Sequence, residues 1–333
     1  MKKNLNKAVG FLAYSFGRIK PSNHPTVYSI ETTNLCNLDC IMCPRRDMKR
    51  KVGFMNFNTF KKIIDETKNY SPFIWLHQMG EPLLDKNIFK FVNYCQKNGV
   101  KTGFSTNATL LNKENSKKII ESALGHLVIS LDGSTKKTYE KIRKKADFEE
   151  SKKKIRGFLK EKTRLAKGPY TVLQIIRMKE TEPEIEQFKK EWINSGVDEI
   201  YVKDFCTWAG QLGTSDKISE QNQRYNKGII SKRPPCFFLW YSLNILWDGS
   251  VIMCCRDFDG SEVLGNINEQ SLEEIWNSKK MMTLRKNHLA NRFENELCKN
   301  CTDWPPIYKS SFLIHPKNVK TIFKKLTDFR KGM

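Results

Sequence analysis

The 333-residue chain predicts an α/β protein built on a parallel sheet, followed by a smaller cysteine-bearing unit. Three observations carry this reading: short apolar runs alternate with amphipathic stretches six times over 26–205, the alternation stops after Phe205, and five of the ten cysteines fall within 236–304. Successive βα units require parallel strands, because each helix returns the chain so that the next strand can run the same way. Six such units fit a doubly wound sheet or one curled into a partial barrel, and either gathers chemistry at the C-terminal ends of the strands.

The expected strands are 27–32, 73–79, 101–106, 127–131, 172–177 and 199–204, all rich in β-branched or aromatic residues. The expected helices are 57–70, 86–98, 112–123, 135–145, 148–165 and 182–195. Asn112 and Thr181 stand where a side-chain oxygen caps a helix, and Gly99 and Gly196 where one ends. Around this core we expect an N-terminal extension (1–25), a polar linker (206–235) ending in Pro234 and Pro235, the cysteine-bearing unit (236–304) and a basic tail (305–333). In the tail Val319, Ile322, Phe323 and Leu326 share one helical face from Lys317 onward.

Composition narrows the class. Hydrophobic content of 39% with 11% aromatic residues supports a sizeable core. No apolar run approaches the roughly 20 residues of a membrane-spanning helix. The apolar stretch 8–16 is followed by Gly17-Arg18-Ile19-Lys20-Pro21, which is no small-residue cleavage site, so the expectation is a cytoplasmic protein without a transmembrane segment. Ten cysteines without an export signal then point to metal or catalytic use and not to disulfides. The net charge of +22 favours acidic partners such as phosphorylated substrates, nucleic acid or anionic membrane. The lysines crowd solvent-facing helical positions, as in Lys117, Lys118 and Lys152 to Lys154, which reads as a lysine-rich host composition; no nucleic-acid partner is expected.

The most informative segment is Cys36-Asn37-Leu38-Asp39-Cys40-Ile41-Met42-Cys43, on the loop after the first strand. Thiolates are the soft ligands that iron-sulfur clusters need, and three held locally leave one iron of a four-iron cluster open. Structural zinc normally takes four ligands. Short polar motifs then end the following strands: Met79-Gly80-Glu81-Pro82, Ser105-Thr106-Asn107, and Ser130-Leu131-Asp132-Gly133 with Tyr139 and Ile142-Arg143 downstream. Each alone reads as an ordinary turn, and together at successive strand ends they read as one site. Near the C-terminus, Cys236, Cys254 and the C-x-x-C pair Cys298 and Cys301 form a second set, with Gly249 marking a hairpin before Cys254. Four such cysteines suit a cluster or a tetrahedral zinc site.

In this order the motifs resemble the radical S-adenosylmethionine superfamily over about residues 26–304. The resemblance implies a partial (β/α)6 TIM barrel with a small C-terminal iron-sulfur domain. It implies a [4Fe-4S] cluster on Cys36, Cys40 and Cys43, whose open iron binds the amino and carboxylate groups of S-adenosylmethionine. One electron then cleaves that cofactor to a 5′-deoxyadenosyl radical, which abstracts hydrogen. By the same resemblance the backbone of Met42 contacts adenine, Gly80 and Glu81 face the ammonium, and Asn107 reaches the ribose. Ser130 and Arg143 hold the carboxylate, and Gln174 completes the cofactor set from the fifth strand. Cys236, Cys254, Cys298 and Cys301, flanked by Leu264-Gly265-Asn266-Ile267 and Ile275-Trp276, resemble the auxiliary-cluster modules called SPASM and Twitch, with ligands for one auxiliary [4Fe-4S] cluster.

A single auxiliary cluster resembles most closely the radical dehydrogenases of carbohydrates and aminocyclitols, of which 2-deoxy-scyllo-inosamine dehydrogenase is the type. The implied reaction oxidises a carbinol carbon of a small-molecule substrate: a carbohydrate, an aminocyclitol or a nucleotide- or lipid-linked sugar, phosphorylated in some pathways. Reduced flavodoxin or ferredoxin would supply electrons. Lys203, Asp204 and Cys206, at and beyond the end of the sixth strand, are the catalytic candidates. The alternatives are a sugar epimerase, with Cys206 as hydrogen-atom donor, and a peptide maturase. The roughly 25 residues before the first strand leave little room for a leader-binding domain, which weighs against the maturase. Cys95 is expected to pack in the core, and Cys255 to point to the opposite strand face from Cys254.

Overall fold

A computed structural model describes residues 2–71, 73–219, 233–301 and 303. Six parallel strands follow one another: β1 (Val27–Ile30), β2 (Phe73–Trp75), β3 (Lys101–Thr106), β4 (His126–Ser130), β5 (Tyr170–Arg177) and β6 (Glu199–Asp204). Between them run α2 (Phe57–Thr67), α3 (Ile88–Lys97), α4 (Lys113–Glu121), α5 (Lys136–Ile142), α6 (Phe148–Leu165) and α7 (Ile185–Trp192), preceded by an N-terminal α1 (Lys2–Ser15). Asn112 caps α4 as expected, accepting from Asn115 N, and Asp147 caps α6, accepting from Glu150 N, both at 2.8 Å, whereas Thr181 makes no side-chain cap because its hydroxyl donates back to Ile176 O at 2.6 Å.

Alternation along the strands sorts their residues. Ile74, Phe104, Leu127, Ile129, Leu173 and Ile175 are fully buried and form one core with helix residues such as Phe60, Phe91, Ile119, Phe158 and Phe188. The intervening residues face the other side of the sheet, where the site lies. The architecture is the expected α/β partial barrel, with the iron-sulfur unit built onto its sheet.

That unit adds β7 (Ser242–Ile245), β8 (Ser250–Ile252) and β9 (Val263–Asn266), giving the strand order β6-β5-β4-β3-β2-β1-β7-β8-β9. β7 pairs with β1 in parallel, and only β7-β8-β9 are antiparallel. The barrel and the cysteine-bearing unit therefore share one sheet and one hydrophobic core.

Several elements depart from the expected spans. β2 stops at Trp75, four residues early, and the chain then reaches Gly80 in the left-handed region at φ 81. The helix expected over 135–145 ends at Ile142, after which Lys145 turns left-handed. The one expected over 182–195 starts as a 3-10 turn, Glu182–Glu184, and ends at Trp192. The N-terminal extension is an ordered helix docked on the C-terminal unit: Tyr14 packs its ring on Phe237 and Trp240, with centroids 5.1 and 5.5 Å away, and donates to Pro235 O at 3.0 Å. Residues 220–232 of the expected linker and the tail helix from Lys317 lie outside the described residues. Among the described residues no helix is long and apolar enough to cross a membrane.

Candidate active site

The first cysteine loop leaves β1 and is braced at its base. Glu31 is fully buried and takes Arg50 through both guanidinium nitrogens, at 2.6 and 2.5 Å. Asn34 ties the loop's return by accepting from Gly53 N and donating to Lys51 O, both at 2.9 Å. Within this frame Cys40 is buried and Cys36 and Cys43 are half-buried. Burial raises the pKa of all three thiols, that of Cys40 to about 12, and a thiolate at Cys36 or Cys43 would raise Cys40 further. The three thus bear on one another electrostatically, and burial disfavours the thiolate of each, which a bound cation would favour. Among the described residues no three His, Cys, Asp or Glu side chains stand close enough to ligate one shared ion, so the fit rests on donor chemistry: three soft sulfurs, the set an iron-sulfur cluster takes.

The strand-end motifs close around this loop. Gly80 has φ +81, and a Cβ there would lie 2.5 Å from Thr33 O and 2.8 Å from Leu35 O, so only glycine lets β2's end approach the cysteine loop. The next residue locks that approach: Glu81 N donates to Leu35 O at 2.8 Å. The buried Glu81 carboxylate accepts from Thr106 Oγ1 (2.8 Å), Asn107 N (2.7 Å) and Leu83 N (3.2 Å). Asn107 in turn donates to Asn37 Oδ1 at 3.0 Å and stands 3.9 Å from Cys36 Sγ. Arg143 gives Nε and Nη2 to Asp132 Oδ2 at 2.9 and 2.6 Å, and Asp132 also accepts from Ile176 N at 2.7 Å. Against burial, which lowers it, Asp132 and Cys40 hold the Arg143 pKa above its ordinary value. Met42 O accepts from Trp208 Nε1 at 3.1 Å.

Deeper in the barrel runs a layer of polar groups, one from each of several strands. Ser29 Oγ donates to His77 O and Gln78 Oε1, His77 Nδ1 accepts from Ser105 N at 3.2 Å, Ser105 and Ser130 hydroxyls meet at 3.2 Å, and Gln174 donates to Ser130 at 3.5 Å. His77 went unread in the sequence; its signal was a histidine placed two residues before Met79-Gly80-Glu81-Pro82. Burial, and then the charge of Lys203, lowers its pKa to about 4. With Nδ1 accepting, the neutral ring carries its proton on Nε2. Lys203 also bears on Cys206 and Cys255, whereas Asp204 is largely exposed, with Oδ1 3.9 Å from Arg177 Nε. Cys206 donates its S-H to Asp303 Oδ2 at 3.2 Å, and burial raises its pKa to about 12.

The C-terminal cysteines gather as a second set. Cys236 feels Cys301 and Cys298, and Cys254 feels Cys236, while burial raises Cys298 to about 12 and Cys301 to about 11. The strand expected to carry Cys254 and Cys255 ends at Ile252, so the alternation that would set the two thiols on opposite faces does not reach them. The neighbouring Cys254, and then the charge of Arg256, lower the Cys255 pKa against burial, and Arg256 Nη1 donates to Cys255 Sγ at 2.9 Å.

A parallel partial barrel with a three-thiol loop after its first strand, and a second thiol set on the same sheet, defines the class of iron-sulfur barrel enzymes. The chain carries a radical SAM domain followed by a SPASM domain: the family model described as "Radical SAM superfamily" matches residues 30–191, and the SPASM model, "Iron-sulfur cluster-binding domain", matches 236–302. It is similar to the tungsten-containing aldehyde ferredoxin oxidoreductase cofactor-modifying protein of Pyrococcus furiosus, 25% identical over 312 residues covering 82% of this chain and 85% of the relative. Its fold is similar to that of BtrN in complex with AdoMet and 2-DOIA (TM-score 0.55, 19% identity, 83% of this chain and 92% of that one). It is also similar to SuiB of Streptococcus suis bound to precursor peptide SuiA (TM-score 0.65, 16% identity, 88% and 72%). The protein is thus a radical SAM iron-sulfur enzyme using S-adenosylmethionine, a [4Fe-4S] cluster and auxiliary iron-sulfur binding in the SPASM domain.

Proposed function

We propose that this enzyme dehydrogenates a carbinol carbon of a polyhydroxylated small molecule, in the class of carbohydrates, aminocyclitols and nucleotide- or lipid-linked sugars. The observation that carries the reading is the inward polar layer of Ser29, His77 and Ser105, uncharged donors and acceptors suited to hydroxyl groups, which continues through Ser130 and Gln174 to the cofactor side. When bound, S-adenosylmethionine on its cluster supplies hydrogen-atom abstraction from carbon, and an auxiliary cluster supplies an electron acceptor. Cys36, Cys40 and Cys43 would hold the first cluster, and Cys236, Cys254, Cys298 and Cys301 the auxiliary one. Met42, Gly80, Glu81, Asn107, Ser130, Arg143 and Gln174 are assigned to the cofactor side; Glu81 acts there by bracing Asn107, since its carboxylate is already engaged. His77 offers Nε2-H to a substrate oxygen, and Lys203 and Asp204 are the candidates at the end of β6 for handling the hydroxyl proton, Asp204 as the carboxylate able to accept it. Reduced flavodoxin or ferredoxin would donate the electron that starts the cycle.

Dehydrogenation is preferred to epimerisation because of Cys206. A hydrogen-atom donor must present its S-H to the substrate carbon, and this thiol spends it on Asp303. The test is anaerobic turnover with reductant, S-adenosylmethionine and a panel of sugars and nucleotide sugars, read by mass spectrometry. A product lighter by about two mass units in wild type and in Cys206→Ala, with no solvent deuterium retained at carbon, is the expected outcome. Epimerisation replaces this reading if Cys206→Ala still forms 5′-deoxyadenosine but loses an inverted product that gains deuterium in the wild type. Peptide modification is the second reading, favoured by the likeness to SuiB bound to its precursor peptide; a precursor peptide should then replace sugars in the same assay.

A further inference from the structure

We propose that Trp208, held in place by Asp303, is a positioning residue for S-adenosylmethionine, and that it transmits the seating of the C-terminal cysteine site to the cofactor loop of the first. The inference rests on the assignment of Met42 to the cofactor and not on the identity of the substrate. The turn that follows β6 is unusual: Trp208 (φ 57) and Ala209 (φ 60) are both left-handed, with Gly210 at φ 83 behind them. L residues avoid that region because Cβ crowds the carbonyl oxygen, and two in succession persist only where neighbours over-determine them.

Those neighbours come from the C-terminal unit. Asp303, two residues beyond Cys301, accepts from Thr207 N through Oδ1 and from Ala209 N through Oδ2, both at 2.8 Å, and from the Cys206 thiol at 3.2 Å. Arg256, which follows Cys254 and Cys255, places Nε 3.4 Å from Asp303 Oδ2. Asn300, inside the Cys298–Cys301 pair, backs so closely onto the turn that a Cβ on Gly210 would lie 2.5 Å from its carbonyl oxygen. The turn therefore forms only when the segments bearing Cys254, Cys255, Cys298 and Cys301 are assembled around it.

What the turn delivers is the indole. Trp208 Nε1 donates to Met42 O at 3.1 Å, across 166 positions of sequence. The ring packs in a small apolar cluster with Cys40, Met42, Phe205 and Leu212 that is separate from the main core. Met42 lies between Cys40 and Cys43, so the hydrogen bond fixes the orientation of the peptide whose other face is assigned to adenine. Without it the loop would have to be ordered at the expense of cofactor affinity.

The experiment uses anaerobic holoenzyme carrying Trp208→Phe, which keeps the ring and removes the N-H, Asp303→Asn, or both. Iron per chain establishes that the clusters are present, equilibrium dialysis with labelled S-adenosylmethionine gives the dissociation constant, and electron paramagnetic resonance of the reduced first cluster reports the bound cofactor. Each single variant should weaken binding about tenfold, as loss of one buried hydrogen bond does. The double variant should be no weaker than either single, because both act on one path, and the cofactor-induced change in the resonance signal should be reduced in all three. Wild-type affinity in Trp208→Phe with full iron overturns the positioning role, and additive losses in the double variant overturn the transmission. Trp208→Phe alters neither cysteine set, so its result stands even where Asp303→Asn fails to fold.

Discussion

His77 shows how much a single side chain can be decided by its surroundings. A histidine with an ordinary pKa would change charge near neutrality, but burial holds this one neutral down to about pH 4, and Ser105 N fixes which nitrogen carries the proton. Its folded pKa lies below that of the unfolded chain. As pH falls below about 6.5 the unfolded state binds the proton first, so stability present at neutral pH is lost progressively toward about 4. His77→Gln should therefore flatten the acid limb of stability between those values, measured by thermal unfolding at a series of pH values. An unchanged acid limb would mean that His77 titrates alike in both states. Cys206 is decided in the same way: the residue that chain position offered as a hydrogen donor directs its proton to Asp303.

At the scale of elements, the loop between β1 and α2 must hold three thiols apart from one another yet facing one space. It does so by anchoring both its ends. Arg50 pairs with the buried Glu31 at the start of the loop and gives Nε to Phe258 O at 2.7 Å, and Asp259 accepts from Lys49 N and Arg50 N at 2.6 and 3.0 Å. Removing one partner of such a pair leaves a charge buried without compensation, at a cost of about 3–5 kcal/mol. Arg50→Ala should be destabilised by that order and should bind less iron on the first cysteine set. Adding Glu31→Gln should recover more than half of the lost stability, because the unpaired charge is then gone. Urea unfolding of the two variants checks this, and equal stability of single and double variants would show that the pair does not brace the loop.

For the whole molecule the decisive feature is the parallel pairing of β1 with β7. It sets the C-terminal cysteine unit beside the strand that feeds the first cysteine loop, so the two thiol sites are held by one continuous sheet and not by a flexible connection. Anaerobically purified protein should contain about seven to eight irons per chain, the content of two four-iron clusters. Cys298→Ala with Cys301→Ala should roughly halve the iron while leaving some cofactor cleavage, whereas Cys36→Ala, Cys40→Ala or Cys43→Ala should abolish cleavage. Iron and zinc analysis with a 5′-deoxyadenosine assay reads all of these. Stoichiometric zinc in the wild type would refute the auxiliary cluster.

Much of this was legible in the sequence, because it is written in short-range pattern. The apolar alternation set six strands and the helices between them, and the cysteine spacing and the glycine-bearing strand ends marked the site, since each depends on residues within a few positions of one another. The rest depends on contacts between distant segments, which no local period encodes. The direction of Cys255 could not be read from strand alternation because β8 stops at Ile252, short of residues 254 and 255. The tautomer of His77 is set by a strand 28 positions away, the hydrogen bond of Cys206 by a carboxylate 97 positions away, and the place of β7 by hydrogen bonds to β1. Side-chain chemistry is carried by the residue, but its protonation, its partner and its direction are fixed only when folding removes water and puts another segment in its place.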